Sequence, residues 1–387
     1  MIIGIVGSGA MGAGIAQVAA EAGHQVVVFD KSPEMLDKAE KQMAKVLERL
    51  VAKGTRSAEA ANALLTRIRF TPVFEDLRDA AWVIEAVVEN LSVKKELFAA
   101  LENLLPPDAI LASNTSSLSV TAIAASCKQA SRVLGIHFFN PAPLMQLVEV
   151  IPALQTDPAL VEVVKQEMVA WGKVPVVAQD TPGFIVNRVA RPFYGEAIRI
   201  FEEGLADMAT IDWAMKEIGG FRMGPFELMD YIGHDVNYAV TASVFEAFFF
   251  DPRYRPSFAQ KRLVDAGFLG RKAGRGFYDY HPDAVRPEPV KDPELGKAIA
   301  WRVICMLINE AADALYLRIA SRDDLDLAMT RGVNYPKGLL AWADESGIQH
   351  CVNTLDRLHG EYLEDRYRCS PLLRKMGRTG KRFYQRD

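Results

Sequence analysis

Residues 2–12, IIGIVGSGAMG, decide the fold, because an apolar run is followed at once by three spaced glycines. Gly7, Gly9 and Gly12 form a Gly-x-Gly-x-x-Gly motif between a strand-like and a helix-like segment, which is typical of a dinucleotide-binding turn. These glycines permit the tight turn, close approach of a pyrophosphate to the helix N-terminus, and packing of helix on strand. The stretch therefore predicts a Rossmann-type α/β domain.

Polar residues follow four further apolar runs in the N-terminal half. The runs 25–29, 82–88, 109–112 and 133–136 end respectively at Asp30, at Glu89, at a serine-rich segment that contains Ser116, and at His137. Alternation of strands and helices predicts a parallel sheet with crossover helices, and ligands bind outside the carboxyl ends of such strands. We therefore expect these polar side chains to meet at one edge of the sheet.

Asp30 indicates which cofactor to expect. It follows the second strand, 18 residues after Gly12, where an acidic residue meets the 2′-hydroxyl of a ribose. A carboxylate at this place would repel the 2′-phosphate of NADP by about 4 kcal/mol at a surface-like dielectric, and neighbouring Lys31 would soften this only slightly. The sequence therefore predicts NAD.

Length and charge limit the partners. The chain has 387 residues, of which 50% are hydrophobic, enough for two or three domains with their own cores. A formal net charge of −4 and an isoelectric point near 6.0 provide no basic stripe, so we expect no nucleic-acid partner. Charged residues interrupt every long apolar run, so we expect no membrane partner either.

The cysteines indicate the compartment. Cys127, Cys305, Cys351 and Cys369 form neither a CxxC pair nor the framework of a secreted disulfide-rich domain. We interpret them as reduced thiols in the cytoplasm, and the early first strand, which leaves no room for a signal peptide, agrees with this. The histidines and cysteines near the C-terminus match no common zinc spacing, so no metal is expected.

Strand-like runs stop near Asp180, and helical periodicity takes over from Phe184. The helical part repeats itself at an offset of 114 residues, and the matching pairs include Arg188/Arg302, Glu196/Glu310, Asp212/Asp326, Met215/Met329, Gly224/Gly338, Asp230/Asp344 and Gly233/Gly347. We therefore expect three domains: an NAD-binding domain at 1–183, a helical domain at 184–282, and a second helical copy at 293–387.

An unusually long segment separates the second and third strands. Almost forty residues lie between Asp30 and the run from Arg69 to Val73, which predicts two helices rather than one. Their polar face carries a row of basic residues: Lys38, Lys41, Lys45, Arg49, Lys53 and Arg56. This row is either a seat for the phosphates of a large anion such as a CoA thioester or an ordinary solvated face.

His137 and Glu149 are the residues expected to carry acid–base chemistry. Glu149 lies inside the apolar run 147–151, where an unpaired carboxylate is costly, and a nearby imidazole would satisfy it. The carboxylate would then fix the tautomer of the ring and raise its basicity. The alternatives are a histidine satisfied within the core and a glutamate on an edge strand. Ser116 and Asn187 would polarise a carbonyl, or else act as a turn residue and a helix start.

Several segments together resemble one enzyme family. GSGAMGAGIA, VIEAVVENLSVKKELF, SNTSSL, IHFFNPAPLMQLVEVI and DTPGFIVNR are similar to the L-3-hydroxyacyl-CoA dehydrogenases over roughly residues 1–283. The second copy, with RGVNYPKGLLAWAD, resembles the 3-hydroxybutyryl-CoA and 3-hydroxyadipyl-CoA dehydrogenase type with a duplicated C-terminal domain. The resemblance implies a Rossmann-type domain followed by two all-α repeats like the helical domain of 6-phosphogluconate dehydrogenase. The first repeat, 184–282, would be the substrate and dimerisation domain, and the second, 293–387, would be non-catalytic.

The resemblance also implies roles for individual residues. His137 would be the catalytic base and Glu149 its partner, while Ser116 and Asn187 would contact the substrate oxygen. Besides the three glycines, the implied NAD contacts are Asp30, Glu89, Lys94, Ser116, Asn140 and Lys272, and the implied CoA contact is Lys53.

The implied activity is NAD-dependent oxidation of an L-3-hydroxyacyl-CoA in fatty-acid β-oxidation or in phenylacetate-type aromatic degradation. Two alternatives stay open: a dehydrogenase of a small hydroxy acid or sugar acid on the same scaffold, and a catalytically silent NAD-binding protein. The basic row on the inserted helices favours an acyl-CoA over a small acid. The complete set of Ser116, His137, Glu149 and Asn187 disfavours a silent protein.

The second helical copy has Trp301 where the first has Asn187. An indole cannot replace a carboxamide at a substrate oxygen, so this copy is predicted to be structural, with one active site per chain. We expect an intramolecular pseudo-dimer of the two copies, a homodimer of whole chains being the other arrangement considered. The contact would use apolar positions such as Val303, Met306, Leu307 and Leu315.

Overall fold

The computed structural model describes residues 1–384 and divides the chain after Phe184 into two units. The first unit contains one eight-stranded sheet in the order β3-β2-β1-β4-β5-β6-β7-β8. Its strands are β1 Ile2–Val6, β2 Gln25–Phe29, β3 Ile68–Thr71, β4 Trp82–Glu85, β5 Ile110–Ser113, β6 Val133–Phe138, β7 Leu147–Pro152 and β8 Val174–Val177. The strand order reverses beside β1, so the glycine turn lies at the switch point where such sheets bind ligands.

The sheet is mixed rather than wholly parallel, which corrects the prediction from alternation. β1 to β6 run parallel, whereas β7 pairs antiparallel with β6, and β8 runs parallel to β7. The connection between Phe138 and Leu147 is shorter than the dozen or so residues that a parallel crossover needs. β7 lies between β6 and β8, so the alternative of an edge strand for Glu149 is wrong.

Helices cover the faces of the sheet. They are α1 Ala10–Glu21, α2 Pro33–Ala52, α3 Ala58–Leu65, α4 Leu91–Leu104, α5 Val120–Ala124 and α6 Pro158–Ala170, with 3₁₀ turns at Phe74–Leu77 and Ala130–Arg132. The two helices predicted between β2 and β3 are present as α2 and α3. Ser32 Oγ accepts a hydrogen bond from Met35 N at 3.3 Å, which caps α2 and fixes where it begins.

The second unit is built from helices, as predicted. They are α7 Val186–Val189, α8 Arg191–Glu202, α9 Met208–Trp213, α10 Pro225–Ile232, α11 His234–Ala247, α12 Phe258–Asp265, α13 Pro293–Tyr316, α14 Arg322–Gly332, α15 Leu339–Ser346, α16 Ile348–Tyr362 and α17 Pro371–Thr379. A π turn spans Ala214–Ile218, and 3₁₀ turns span Pro252–Tyr254, Arg271–Ala273 and Asp365–Tyr367. Within residues 1–384, no helix combines the length and apolarity needed to cross a membrane.

The residues of the internal repeat make equivalent contacts. Asp212 accepts hydrogen bonds from two amides in the first turn of α10, and Asp326 accepts from two amides in the first turn of α15. A Cβ added to Gly224 would lie 2.3 Å from the Asp212 carboxyl, and one added to Gly338 would lie 2.3 Å from that of Asp326. The repeated Asp and Gly residues therefore form the same helix-start contact twice.

The long helix α13 packs against α8. Of the apolar positions predicted on α13, Val303 and Leu307 are 0% exposed, Met306 is 2% exposed and Leu315 is half-buried. This burial places most of the predicted apolar face in the core of the second unit.

Candidate active site

The glycine turn is shaped by three different constraints. Gly7 has a φ of +100°, and its N–H donates to Phe29 O on β2 at 2.8 Å. A Cβ on Gly12 would lie 1.8 Å from Gly7 O, so α1 packs directly on the turn. Gly9 caps α1 and has no atom within 4 Å of a Cβ position. The open space at Gly9, beside a helix N-terminus, suits the close approach of a pyrophosphate.

Alanine at Gly12 and at Gly9 should therefore have different effects. Gly12→Ala forces a clash with backbone and should lower stability by about 2–3 kcal/mol, as overpacking does. Gly9→Ala meets empty space, so the melting temperature should stay near wild type while NADH affinity falls about tenfold, or about 1.4 kcal/mol. Thermal melts and NADH titrations of both variants measure this, and equal melting temperatures would contradict it.

Asp30 is oriented by residues beside the turn. Its Oδ2 accepts from Ser8 N and Ser8 Oγ at 2.9 Å each, and its Oδ1 accepts from Ser32 N at 3.0 Å. Sequence reasoning did not single out Ser8, although its place between two motif glycines is the signal that could have identified it. The carboxylate is thus held against the turn that would receive the dinucleotide.

Asp30 should set the preference between NADH and NADPH. We expect kcat/KM to favour NADH by about tenfold to a hundredfold, because the carboxylate accepts from a ribose hydroxyl and repels a phosphate. Asp30→Ala should narrow this ratio, chiefly by weakening NADH. Asp108→Ala, an exposed carboxylate just before β5, is the control and should leave the ratio unchanged. Equal kcat/KM values for NADH and NADPH in the wild type would contradict this prediction.

A buried carboxylate that the sequence analysis missed lies beneath the next loop. Glu85, at the end of β4 and 0% exposed, accepts from Lys94 Nζ at 2.5 Å, Ser113 Oγ at 2.7 Å and Val87 N at 2.7 Å. Lys94 is itself 1% exposed, and its Nζ also lies 3.3 Å from Glu89. Lys94 was predicted to contact NAD, and the structure places its ammonium between two carboxylates at the edge of the site.

Glu89 gathers the serine-rich loop after β5. Its Oε1 accepts from Thr115 Oγ1 at 2.6 Å, Ser116 N at 2.9 Å and Ser117 N at 3.2 Å, and Ser116 Oγ lies 3.4 Å away. Burial alone would raise the pKa of Glu89, but the Thr115 hydroxyl and the Lys94 charge hold it below its ordinary value. Glu89 and Ser116, both predicted site residues, thus share one hydrogen-bonded loop.

His137 and Glu149 face each other across β6 and β7. The antiparallel register places the two residues opposite one another, and His137 Nδ1 lies 2.7 Å from Glu149 Oε2. Glu149 is 0% exposed and His137 is 6% exposed. The ring centroids of Phe139 and Phe184 lie 4.5 and 5.9 Å from the centroid of the His137 imidazole. The predicted pair is present, in an apolar surrounding that strengthens its electrostatic interaction.

A buried lysine holds the loop between β6 and β7. Lys173 Nζ donates to Ala142 O at 2.5 Å and to Met145 O at 2.9 Å, and burial lowers the pKa of this lysine. The loop contains Asn140, a predicted NAD contact that is exposed, and a cis peptide bond joins Asn140 to Pro141. Sequence reasoning missed Lys173, because nothing near it in the chain marks its long-range partners.

The remaining predicted site residues belong to the second unit. Asn187 is half-buried on the short helix α7, and the next residue, Arg188, is 1% exposed. Lys272 lies in the 3₁₀ turn Arg271–Ala273 and pairs with Asp235 at 2.6 Å. Both residues are therefore on helical segments of that unit.

The predicted row of basic residues runs along α2 and past its end, and its members lie in different environments. Lys53 ends α2 and is exposed, whereas Arg56 is half-buried and forms an ion pair with Glu21. Lys38, Lys41 and Lys45 line a surface groove of about 450 Å³ together with Glu34, Asp37 and Gln42. The acidic residues offset the positive charge of this groove, so Lys53, which lies outside the groove and is exposed, is the candidate for a phosphate contact.

Two family models match nearly the whole chain. The NAD-binding domain of 3-hydroxyacyl-CoA dehydrogenase matches residues 2–181. The C-terminal domain of the same family matches two separate segments, residues 183–280 and residues 299–384.

Individual relatives agree with these matches. The chain is 40% identical to the 3-hydroxyadipyl-CoA dehydrogenase of Escherichia coli K12 over 458 aligned positions, covering 96% of each chain. It is 42% identical to human mitochondrial hydroxyacyl-coenzyme A dehydrogenase over 71% of this chain and 90% of that one. A crystal structure of 3-hydroxybutyryl-CoA dehydrogenase from E. coli K12 superposes with a TM-score of 0.93 at 38% identity, covering 98% of each chain.

Proposed function

Because the chain belongs to the 3-hydroxyacyl-CoA dehydrogenase family of NAD-dependent oxidoreductases, we propose that it oxidises L-3-hydroxyacyl-CoA through the His137–Glu149 dyad. The observation that carries this proposal is the 2.7 Å contact between His137 Nδ1 and the fully buried Glu149. With Nδ1 engaged, Nε2 is the nitrogen that accepts the proton of the 3-hydroxyl group. Glu149 stabilises the imidazolium that results.

The reaction separates a hydride from a proton. The C3–H bond of the substrate breaks with its electron pair, the C3–O bond becomes a carbonyl, and the hydroxyl proton passes to His137. NAD supplies the hydride acceptor when it is bound. The open space at Gly9 and the oriented Asp30 carboxylate fit a dinucleotide, with Gly7 and Gly12 shaping the turn.

Neutral donors complete the proposed site. We assign Ser116 and Asn187 to the substrate oxygen, where they stabilise developing negative charge without adding a full charge. Further NAD contacts are assigned to Glu89, Lys94, Ser116, Asn140 and Lys272. Lys53, exposed at the end of α2, is assigned to a phosphate of CoA.

We also propose a substrate class and a pathway. We propose an acyl-CoA of fatty-acid or phenylacetate-type aromatic degradation, in the cytoplasm, which agrees with four free cysteines. The relatives carry names with both a butyryl and an adipyl acyl group, so the proposal covers neutral and carboxylated chains. A small hydroxy acid or a silent NAD-binding role is disfavoured by the buried dyad and the exposed Lys53.

We also propose that the helical unit is a duplicated domain folded as an intramolecular pseudo-dimer, with copies at 184–282 and 293–387. Support comes from the two segments matched by one C-terminal family model and from the helix-start contacts repeated at Asp212 and Asp326. Trp301, the counterpart of Asn187, donates to Thr354 and stacks on His350 at 4.7 Å, which suits a structural role.

A steady-state assay tests the proposed function. Purified protein is mixed with NADH and acetoacetyl-CoA, 3-oxoadipyl-CoA or a longer 3-oxoacyl-CoA, and loss of NADH absorbance is followed. We expect turnover with at least one of these thioesters. Turnover only with small free oxo acids would favour the alternative dehydrogenase, and NADH binding without turnover of any substrate would favour a silent protein.

A further inference from the structure

Two reciprocal buried ion pairs join the two halves of the helical unit. Arg188 Nε donates to Glu310 Oε1 at 2.6 Å, and Arg302 Nε donates to Glu196 Oε1 at 2.6 Å. Arg302 and Glu310 stand 114 residues after Arg188 and Glu196 in the internal repeat. Each pair therefore joins one half to the other, as the two equivalent contacts of a two-fold interface do.

The two glutamates have matching surroundings. Tyr254 donates its hydroxyl to Glu310 Oε1 at 2.5 Å, and Tyr367 donates to Glu196 Oε1 at 2.7 Å. The side chains of Glu310 and Glu196 are 0% and 1% exposed. A second arginine lies beside each carboxylate, with Arg253 Nη1 3.2 Å from Glu310 Oε2 and Arg366 Nε 3.9 Å from Glu196 Oε2. Each carboxylate is thus fully removed from water and depends on two arginines and a tyrosine.

The two arginines also have matching secondary partners. Asp313 lies 3.3 Å from Arg188, and Glu203 lies 3.0 Å from Arg302. Burial alone would lower the pKa of both arginines, but these carboxylates and the two glutamates raise it above the ordinary value. Loss of the Glu310 charge would leave Arg188 and Arg253 to share Asp313, whereas loss of the Glu196 charge would leave Arg302 with Glu203 and Arg366 with Glu364.

The two ion pairs differ in the residue that comes before the arginine in the chain. Arg188 follows Asn187, the proposed contact of the substrate oxygen, whereas Arg302 follows Trp301. Asn187 and Arg188 lie on α7, a single turn without a side-chain cap that contacts α13 and α14. So short a helix makes few hydrogen bonds of its own, and tertiary contacts must set its orientation.

We propose that Glu310, a residue of the second helical copy, is a positioning residue for Asn187. This rests on the proposed function, in which the Asn187 carboxamide contacts the substrate oxygen. Glu310 holds the Arg188 guanidinium, the guanidinium fixes the turn of α7, and the turn sets where the carboxamide points. The second copy therefore helps to build the active site of the first copy although it has no site of its own.

The symmetric pair of glutamates provides the test and its control. Glu310→Gln and Glu196→Gln, each in the full-length chain, should both lower the melting temperature, because each removes a buried charge that lies beside two arginines. Only Glu310→Gln should lower kcat, by about tenfold to a hundredfold as for a slightly misplaced contact. The KM for NADH should stay within about twofold in both variants. Equal kcat values for the two variants would overturn the proposal.

A double variant separates positioning from general damage. If Glu310 acts through Asn187, then Asn187→Ala combined with Glu310→Gln should lose no more kcat than Asn187→Ala alone. If the double variant instead lost kcat by the product of the two single-variant losses, the proposal would be overturned. Unchanged kcat in Asn187→Ala would overturn the assigned role of Asn187, and with it this inference, while the dyad stands. Should Glu310→Gln fail to fold, Tyr254→Phe against Tyr367→Phe makes the same comparison, with the same expected contrast in kcat.

Discussion

His137→Gln should lower kcat by about a hundredfold to ten-thousandfold, the usual loss when a general base is removed, while NADH binding should stay near normal. Glutamine has a similar size and can hydrogen bond, but it cannot accept the substrate proton. Glu149→Gln should also lose turnover, because the neutral amide no longer stabilises the imidazolium across the 2.7 Å contact. The measurement is kcat with a 3-oxoacyl-CoA, alongside NADH affinity by fluorescence titration.

His24 provides a matched control for the dyad. It is a partly buried histidine of the same unit and also lies near a glutamate, Glu167, at 3.0 Å. His24→Gln should leave kcat close to wild type, since no role at the site is assigned to it. If His137→Gln or Glu149→Gln kept more than about a third of wild-type kcat, the acid–base assignment would be wrong.

Truncation after His281 should make the protein aggregate or form a true dimer. The shortened chain lacks α13, which packs on α8, and so exposes an apolar face of the first helical copy. It also removes Glu310 and Asp313, the carboxylates that pair with Arg188, so we expect a lower melting temperature. Size-exclusion chromatography with light scattering and a thermal melt measure both effects.

Trp301→Phe is the companion to that truncation. It keeps an aromatic ring at the position but removes the indole N–H that donates to Thr354 at 2.9 Å. The chemical step should be almost unchanged, because no reacting group depends on this side chain. A truncated protein that is monomeric, remains in solution and melts at the temperature of the full chain would rule out the pseudo-dimer.

Much of the site could be predicted because strand ends are marked by abrupt changes in polarity. The glycine turn and Asp30 follow their strands directly, and spacing alone places them together. The end of the strand within the run 82–88 was harder to predict. β4 ends at Glu85, and the Glu85 carboxylate accepts a hydrogen bond from Val87 N just beyond the strand. Because apolar residues continue past Glu85, the sequence does not show where this strand ends.

The direction of β7 could not be predicted from its residues, because buried parallel and antiparallel strands are both apolar runs. The pairing of His137 with Glu149 was nevertheless inferred, from the cost of burying a lone carboxylate. The same argument applied to Glu85 and Lys94 would have paired them. Lys173 gave no such signal, since its partners are backbone carbonyls of a distant loop.

The packing of α8 against α13 within one polypeptide has a consequence for dilution. Two domains joined by a short linker meet at an effective concentration in the millimolar range, whatever the protein concentration outside. An interface between separate subunits would dissociate on dilution, whereas this one is tied to the fold of a single chain. A substitution also enters only one of the two proposed copies, so the copies can differ in sequence, and Trp301 stands at the position that corresponds to Asn187.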